Sequence, residues 1–511
     1  MPITELTDPL PADAVAAEPS ASTIHGRVGV VDIGSNTVRL VVYDTPSRLP
    51  IPIFNEKAQC ALAANMGKTG RLSEKGVVAA LATLARFARL ADAMGVAHLE
   101  IVATAAVRDA RDGPAFVREA ETVCGQGVHV LSGAEEARLA AVGLMNGVPD
   151  ADGVLGDLGG GSLDLVGLDH GRIGAFATLS LGHLRLLEES GGDRTAARRL
   201  MDDGLKKADW LATVSGRSLY AVGGSWRAIA RILIEQKNHP LHVVDNYTIG
   251  FLDALRLANL IGELSNGALE QASGIGRKRI ESLPYAAIAL AALLEATRPA
   301  QVVFSGFGMR EGQMLELLPP DLRTQDPLIS ACETHAERTG RFAMHGEEIL
   351  HWMSPLFNGE RAADRRLRLA ACLLSDIGWS EHPDYRAQHA FARVLRIPYP
   401  GLRHEDRVLL ATAMLVRYKG DLDDPLVTSV RGLLDDNGSA RARTIGLALR
   451  LAHTVSGGAP GLLPQCPLAM SNDHLSLSLP DPVFLSEAVE RRLASLARHL
   501  GLRPRPRPAA G

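Results

Sequence analysis

Two short stretches of the chain have the residue types and spacing of turns that could bind phosphate. Residues 29–44 read GVVDIGSNTVRLVVYD, and residues 154–169 read VLGDLGGGSLDLVGLD. When the two stretches are aligned without a gap, Asp32 coincides with Asp157. The other matched pairs are Gly34 with Gly159, Thr37 with Ser162, Leu40 with Leu165, Val41 with Val166 and Asp44 with Asp169. Agreement over this length indicates an internal repeat.

The small residues of each turn determine what the turn could bind. Glycine lets backbone N–H groups approach an anion, and serine, threonine and asparagine add side-chain donors. Asp32 and Asp157, which end the preceding apolar runs, can hold a divalent cation directly or through water. Two such turns facing each other would form a cleft for phosphate groups. The candidate phosphate-binding residues are Gly34, Ser35, Asn36 and Thr37 in the first copy and Gly159, Gly160, Gly161 and Ser162 in the second.

A plain hairpin is the alternative interpretation of the first turn, because D-x-G-S-N also suits a tight turn between strands. The second copy has three successive glycines in the same register. The repetition favours the phosphate-binding interpretation over the hairpin.

Hydrophobic periodicity predicts the elements that would position these turns. Each copy reads as strand, turn and strand, followed by a third strand and then by alternating helices and strands. Three strands followed by this alternation, twice in one chain, predict an α/β architecture of two similar lobes. After the first turn the predicted order is strand 51–57, helix 73–94 with Ser73 as its N-cap, strand 98–107, helix 113–123, strand 128–132 and helix 134–145. After the second turn it is strand 171–179, helices within 181–215, strand 218–224, helix 225–233, further helix and strand 301–306.

From about residue 320 the pattern changes to helices alone, which predicts a separate α-helical domain. The predicted helices are 324–358, 363–377, 384–395, 404–418 and 426–453. The first 26 residues read as a disordered leader, because they lack both the basic and the apolar segments of a signal peptide. The last residues, RPRPRPAAG, read as a tail.

Composition narrows the class of protein. The chain has 511 residues, enough for several domains, with a formal net charge of −4 and a sequence pI of about 6.5, which argues against a surface built for nucleic acid. Its five cysteines form no C-x-x-C pair, which predicts a reduced, cytoplasmic protein without disulfides or structural zinc. No stretch offers about 20 uninterrupted apolar residues, so no membrane span is predicted.

Six segments together resemble the exopolyphosphatase and guanosine pentaphosphate phosphohydrolase (Ppx/GppA) family. They occur in the family's order and spacing between about residues 28 and 315: VVDIGSNTVRLVV, ATAAVRDA, LSGAEEARLA, GDLGGGSLDLV, AVGGSWRAIA and SGFGMREG. The resemblance implies two ribonuclease-H-like lobes of the actin, sugar-kinase and heat-shock-ATPase superfamily. The helical region resembles the additional HD-like domain of the long exopolyphosphatases. The implied domains are a leader at 1–26, lobes at 27–138 and 139–318, an α-helical HD-like domain at 319–502 and a tail at 503–511.

The resemblance implies catalytic roles for Glu136 and Arg108. Glu136 matches the family's catalytic glutamate, which would orient or deprotonate the attacking water. Successive helical residues point about 100° apart, so only one of Glu135 and Glu136 can face a cleft well, and the alignment favours the second. The alternative is a solvated pair of acids at a helix start. Arg108 matches an arginine that contacts the phosphoryl group, although a surface arginine after a strand is its alternative.

The resemblance also implies metal-binding carboxylates and a third anion site. Asp157 matches the magnesium-linked aspartate of the second turn, where it would act in catalysis and metal binding, and Asp32 is its partner in the first turn. Asp164 stands where the family usually has glutamate, which is longer by one methylene, so its expected role as a metal ligand is less certain. Gly223, Gly224 and Ser225 follow a strand and open a helix, a geometry suited to anions, although a G-G-S sequence is as often a loop.

The helical domain resembles HD phosphohydrolases but lacks one of the metal ligands of their active site. A working HD site needs a histidine, an adjacent His-Asp pair and a further aspartate as metal ligands. His345 and Asp376 are present, but Ser375 replaces the histidine of the pair, so the site is predicted to be degenerate. His382 and His389 are then expected to be surface or core residues. The arginines of this domain are expected to form a solvated face or, if the substrate is polyphosphate, some of them are expected to line a channel for the polyanion. They include Arg361, Arg365, Arg366, Arg368, Arg393, Arg396 and Arg403.

Three functional hypotheses follow. The first is a magnesium-dependent hydrolase that releases terminal orthophosphate from inorganic polyphosphate. The second is hydrolysis of the 5′-phosphate of guanosine pentaphosphate, with guanosine tetraphosphate as a further ligand. The third is a nucleotide-binding regulator with weak turnover. The resemblance also implies a homodimer, with potassium as a further candidate ion, and no nucleic-acid or membrane partner.

Overall fold

The computed structural model describes residues 26–44, 48–49, 52–272 and 277–508. They form two compact units, which divide between Thr324 and Gln325. The predicted leader at 1–26 lies almost entirely outside the described residues. Within the described residues, none of the helices is long and apolar enough to cross a membrane.

The first unit contains two mixed β-sheets of similar topology. The five-stranded sheet has the strand order β3-β2-β1-β4-β5, and the six-stranded sheet has the order β10-β11-β9-β6-β7-β8. In both sheets the central strand pairs antiparallel with the strand that follows it and parallel with the strand on its other side. The strands are β1 Arg27–Ile33, β2 Thr37–Tyr43, β3 Pro52–Gln59, β4 Val96–Ala103, β5 His129–Val130, β6 Gly153–Leu158, β7 Leu163–Asp169, β8 Arg172–Leu179, β9 Ser218–Val222, β10 Tyr247–Gly250 and β11 Gln301–Phe304.

The helices of the first unit cover the sheet faces. They are α1 Met66–Thr69, α2 Glu74–Ala93, α3 Ala105–Asp109, α4 Gly113–Cys124, α5 Gly133–Gly147, α6 His183–Glu189, α7 Arg194–Leu205, α8 Gly224–Gln236, α9 Phe251–Glu263, α10 Asn266–Ala272, α11 Arg277–Ile280, α12 Leu283–Thr297, α13 Met309–Glu316 and α14 Pro320–Arg323. Helix α12 is apolar around most of its circumference, and the second lobe buries it accordingly. The Ser73 side chain caps α2 by accepting from Gly76 N, as predicted.

Alternation along the central strands explains why both faces of each sheet are covered. In β1, Val31 and Ile33 face the core under α2 and α4, whereas Val28 and Val30 pack with Met314 on the opposite face. Strands β3 and β8 lie nearer the sheet edges, and their burial is correspondingly lower.

Two helices cross between the lobes, which the sequence did not predict. Helix α5 follows the first lobe in the chain but packs its alanine-rich face, including Ala137 and Ala141, on the second sheet. Helix α13 follows the second sheet but packs on the first. The predicted boundary between residues 138 and 139 therefore falls inside a continuous helix. Apolar periodicity locates such a face but does not specify which sheet covers it.

Two segments near the site also differ from their prediction. The strand predicted at 98–107 ends at Ala103, and residues 105–109 form the short helix α3, which carries Arg108. Strand β10 lies in a segment predicted as helix, and it pairs antiparallel with β11 at the sheet edge. Four residues give too little periodicity to separate a short edge strand from helix.

The second unit is mainly helical and is built around α19, which is buried along its whole length. Helices α18 and α21 pack on it. The helix predicted at 324–358 is two helices, and the one predicted at 426–453 is also divided. The helices are α15 Pro327–Thr339, α16 Gly346–Trp352, α17 Ala362–Leu373, α18 Arg386–Arg396, α19 His404–Arg417, α20 Pro425–Val430, α21 Asp436–Ser456 and α22 Glu487–His499.

The predicted tail at 503–511 forms a strand over most of its length. Strand β14, Arg503–Pro508, pairs parallel with β13, His474–Leu479, beside β12, Leu468–Met470. Arg503 N donates to Asp473 O. Alternate residues of a strand face the same neighbour, so the arginine N–H groups face β13 and the prolines occupy positions that need no donor. An edge strand thus tolerates a sequence that composition alone assigned to a tail.

Candidate active site

The two repeated turns have the same backbone geometry. In the first, Asp32 pairs across the strands with Arg39, and Gly34 N donates to Thr37 O at 2.9 Å. In the second, Asp157 pairs with Asp164, and Gly159 N donates to Ser162 O at 3.0 Å. The internal repeat is therefore a structural repeat in which Arg39 and Asp164 occupy equivalent positions.

The turns face each other across the two lobes. A β-carbon on Gly161 would lie 2.9 Å from Ser35 Oγ, and one on Gly160 would lie 3.3 Å from Ser35 Cβ. Glycine at both positions therefore permits this close approach. The second lobe brings a third turn alongside, since a β-carbon on Gly223 would lie 3.0 Å from Asp157 Oδ1. Gly223 has a φ of +106°, a conformation that favours glycine.

Glu136 and Arg108 meet at the edge of this cleft. Glu136 lies in the first turn of α5, and its Oε2 accepts from Arg108 Nη1 at 2.9 Å. The same guanidinium donates to Leu131 O at 3.0 Å, which holds it in place. The Glu136 side chain is 13% exposed.

Glu135 caps the start of α5. Its carboxylate accepts from Ser132 N and Ser132 Oγ in a capping box at the start of α5, and its side chain is 41% exposed. The helix start thus uses one acid as a cap and directs the next to Arg108. This geometry selects Glu136 as the residue of the pair that lies at the cleft.

The carboxylates of the cleft perturb one another. Burial raises the pKa of Glu136 to about 7, against the opposing effect of Arg108, and the nearby Asp157 and Asp32 raise it further. Burial likewise raises the pKa of Asp157 to about 6. The pKa of Asp164 is raised by burial and by the adjacent Glu136. Four carboxylates in one partly buried place are electrostatically unfavourable unless a proton or a cation joins them.

The surroundings of Asp164 show whether the residues of the cleft fit a bound cation. It is 2% exposed, and its Oδ2 lies 3.3 Å from Ser162 Oγ. Its Oδ1 is also buried, and the hydroxyl of Thr178, its neighbour across the strands, is the hydrogen-bonding group that lowers its pKa against burial. A buried carboxylate among hard oxygen groups fits a divalent cation such as Mg²⁺.

A group of basic side chains on the same cleft escaped the sequence analysis. We call it the basic cluster; it consists of Arg39, Lys57, Arg227, Arg279 and Arg310. It brings together β2, β3, α8, α11 and α13, which are far apart in the chain. Arg310 Nε lies 3.9 Å from Asp32 Oδ2, and Arg279 Nη1 donates to Gly224 O at 3.3 Å.

The cluster is crowded with like charge. Burial lowers the pKa of Arg39 to about 10, and the charges of Arg310 and Arg227 lower it further. The pKa of Lys57 is lowered by partial burial and by four neighbouring arginines. Cations held this close together are stabilised by an anion. Two sequence signals could have identified members of the cluster: Arg39 aligns with Asp164 in the repeat, and Arg310 lies in the segment SGFGMREG.

In the HD-like region of the second unit, Asp376 forms an ion pair with Arg341. Both oxygens of Asp376 are bound by Arg341, with Nη2–Oδ1 at 3.1 Å and Nε–Oδ2 at 3.3 Å. Ser375 Oγ lies 2.9 Å from His453 Nε2. His382 and His389 lie on the surface, as one of the two predicted alternatives. Arg341 thus occupies the carboxylate that a metal would need, and the degenerate character of the site stays a prediction.

The arginine run of this unit is neither a uniform solvated face nor a free channel. Arg368 is 2% exposed and is paired with Glu360, with Nη2–Oε2 at 2.6 Å. Arg366 pairs with Asp326 and also donates to Gly401 O. These two arginines are therefore paired within the unit, which sequence could not show because it does not reveal which acid faces each base, and a channel lined by some of the other arginines stays a prediction.

Comparisons with known proteins agree with this architecture. The model of the Ppx/GppA phosphatase family matches residues 41–320, and that of the exopolyphosphatase C-terminal domain matches residues 328–505. The crystal structure of an exopolyphosphatase from Cytophaga hutchinsonii is 23% identical, covers 56% of this chain and 96% of its own, and has a TM-score of 0.52. That of an exopolyphosphatase-like protein is 21% identical, covers 57% and 96%, and has a TM-score of 0.50. These structures support the predicted two-lobed fold, and the chain belongs to the Ppx/GppA phosphatase family.

Proposed function

We propose that this phosphatase-family protein is an exopolyphosphatase, which removes terminal orthophosphate from inorganic polyphosphate by attack of water. The observation that carries the proposal is the position of Glu136. Its carboxylate, with a pKa of about 7, is bonded to Arg108 and interacts with the aspartates of both phosphate turns. A base with a pKa near neutrality is suited to proton transfer at physiological pH.

Each group has a role in that reaction. The water oxygen bonds to the terminal phosphorus, its proton passes to Glu136, and the anhydride P–O bond breaks. Orthophosphate leaves, and the remaining chain is shorter by one phosphate. Arg108 favours the ionised form of Glu136 against the effect of burial and offers its remaining donors to the terminal phosphoryl oxygens. The N–H groups of the three turns hold the adjoining phosphates.

Asp32, Asp157 and Asp164 would hold Mg²⁺, because hard oxygen ligands suit that ion and Asp164 has a buried oxygen to offer. The ion would neutralise charge on the phosphoryl oxygens. Potassium dependence and a homodimeric state stay predictions of the sequence.

The basic cluster supports a substrate longer than one phosphate. Its cations are among the strongest influences on Asp32 and Asp157, whereas Arg108 is the cation that acts most strongly on Glu136. The aspartates therefore interact with Glu136, which is bonded to Arg108, and also with the basic cluster. A linear polyanion whose end lies at Glu136 would place its later phosphates among these cations.

Guanosine pentaphosphate is the second candidate, and a cavity beside the turns favours it. The cavity has a volume of about 160 Å³ and adjoins Ser35 and Gly160. Much of its remaining lining is apolar, from Met66, Leu184 and Leu187. An apolar space next to phosphate donors suits a nucleoside attached to a phosphate chain.

Two variants distinguish the candidates. Lys57→Gln removes a cation of the basic cluster. Its matched control is Lys75→Gln, at an exposed position of helix α2. Ala64→Phe fills the cavity. For polyphosphate, we expect Lys57→Gln to raise KM about 5- to 20-fold, because one charge contact with a phosphate chain is lost, and Ala64→Phe to have little effect. The second candidate would be supported if Ala64→Phe raised KM while Lys57→Gln had little effect, and if the wild type released phosphate faster from guanosine pentaphosphate than from polyphosphate.

A further inference from the structure

His183 lies between two of the phosphate turns. It is the first residue of α6, and its Nδ1 is 2.8 Å from Gly159 O in the second turn. Ser225 Oγ of the third turn lies beside the ring, 3.2 Å from Nε2 and 3.5 Å from Nδ1. The ring is therefore bonded to the turn after β6 and packs beside the turn after β9.

The chemistry of the partners fixes the tautomer of the ring. A carbonyl oxygen can only accept, so Nδ1 must carry the proton that it donates to Gly159. Burial lowers the pKa of His183 to about 4, so the ring is neutral at neutral pH and Nε2 is an acceptor. Ser225 Oγ, nearly equidistant from the two ring nitrogens, does not lie on the axis of the Nε2 lone pair, so its hydroxyl is not committed to the ring.

The backbone of α6 acts on the same turn. His183 N donates to Gly159 O, and Leu184 N and Arg185 N donate to Gly160 O, at 3.1–3.2 Å. Such a close approach requires glycine at residue 182, because a β-carbon there would lie 2.3 Å from Gly160 O. The carbonyls of Gly159 and Gly160 are thus held toward α6.

The orientation of these carbonyls decides where the donors of the turn point. Across a planar trans peptide, the C=O of one residue and the N–H of the next point in opposite directions. With the carbonyls of Gly159 and Gly160 turned toward α6, the N–H groups of Gly160 and Gly161 point away from it. A phosphate on that side of the turn would receive both.

We propose that His183 is a positioning residue, which clamps the second phosphate turn to α6 and keeps the N–H groups of Gly160 and Gly161 directed at bound phosphate. This inference rests on the proposed function for its role in turnover, but the clamp itself concerns phosphate binding. The ring does not contact the reacting atoms; it acts through Gly159.

Substitutions at residue 183 separate hydrogen bonding from packing. We expect His183→Ala to weaken binding of inorganic tripolyphosphate about 10-fold and to lower kcat/KM for polyphosphate about 10- to 100-fold, because the hydrogen bond to Gly159 O and the turn geometry are lost. His183→Leu, which restores volume alone, should be equally impaired. His183→Gln, whose amide can donate to Gly159 O, should recover most of the binding. Wild-type binding and activity in His183→Leu would overturn the proposal.

Calorimetric titration with tripolyphosphate in Mg²⁺ measures binding apart from the rate of turnover. An absence of turnover in a protein whose tripolyphosphate binding depends on His183 in this way would therefore refute the proposed function and leave the clamp standing.

An NMR measurement on His183 in the wild-type protein tests the proposal even if one of the variants fails to fold. In protein labelled with ¹⁵N-histidine, the resonances absent from His183→Gln or His183→Leu identify His183. We expect a neutral ring with Nδ1 protonated, unchanged from pH 8 to about pH 5. A ring protonated at Nε2, or one that titrates near its ordinary pKa of about 6.5, would contradict the clamp.

Discussion

Replacing Glu136 by glutamine removes the proposed base with little change of shape. The amide keeps the volume of the side chain, and its oxygen can still accept from Arg108, so the 2.9 Å contact has a replacement. The amide cannot accept a proton from water. Because positioned general bases contribute roughly 10²- to 10⁴-fold, we expect kcat for polyphosphate to fall by that amount.

Binding should respond in the opposite sense. The negative charge of Glu136 repels a polyanion, and it also raises the pKa of Asp164. Glu136→Gln removes that charge, so we expect tripolyphosphate to bind at least as tightly as in the wild type. The combination of lost turnover with retained binding identifies a residue that acts on the chemical step.

The assay is release of orthophosphate under saturating polyphosphate and Mg²⁺, with binding measured by calorimetry. Glu135→Gln is the matched control, because it makes the same chemical change one residue earlier, in a side chain that caps α5 and is 41% exposed. We expect it to stay within about threefold of the wild-type rate, since the loss is a helix cap of about 1 kcal/mol. An active Glu136→Gln beside an inactive Glu135→Gln would refute the assignment.

Three further predictions concern the metal, pH and the second unit. Asp157→Ala should abolish Mg²⁺ binding by calorimetry together with activity, and unchanged binding would remove this residue from the metal site. The raised pKa of Glu136, about 7 against an ordinary 4.5, means that the metal-free fold loses on the order of 2–3 kcal/mol as pH rises from about 4.5 through 7. Mg²⁺ should therefore raise Tm more at pH 8 than at pH 5, and an equal rise at both would contradict this. Arg368→Ala should destabilise the second unit by about 1.5–3 kcal/mol, because it removes hydrogen bonds to buried Glu360, which Arg441 still neutralises. Exposed Arg361→Ala should cost less than about 1 kcal/mol in denaturant titrations.

The repeat made the core of the site accessible from sequence. Asp32 and Asp157 occupy equivalent places because one strand–turn–strand pattern is used twice, and its spacing is visible in the letters. The choice between Glu135 and Glu136 rested on alignment until the capping box showed where each side chain points. Local patterns predict the helix start well, but the direction of Glu136 depends on Arg108, which the earlier helix α3 places beside it.

The basic cluster shows what local patterns do not contain. Lys57 and Arg39 become neighbours through the register of β2 and β3, and Arg310 joins them because α13 crosses to the first lobe. None of these encounters is fixed by the residues within one element. His183 likewise gains its role from the meeting of α6 with a turn that lies 24 residues earlier in the chain.

Release of orthophosphate from long-chain polyphosphate and from guanosine pentaphosphate, measured side by side with purified protein, tests the central claim most directly. Each reaction is run with Mg²⁺ and with excess chelator, for the wild type and Glu136→Gln. We predict Mg²⁺-dependent release that is faster from polyphosphate and that is lost in the variant. Release that persists in chelator, or that is equal in wild type and Glu136→Gln, would contradict the account.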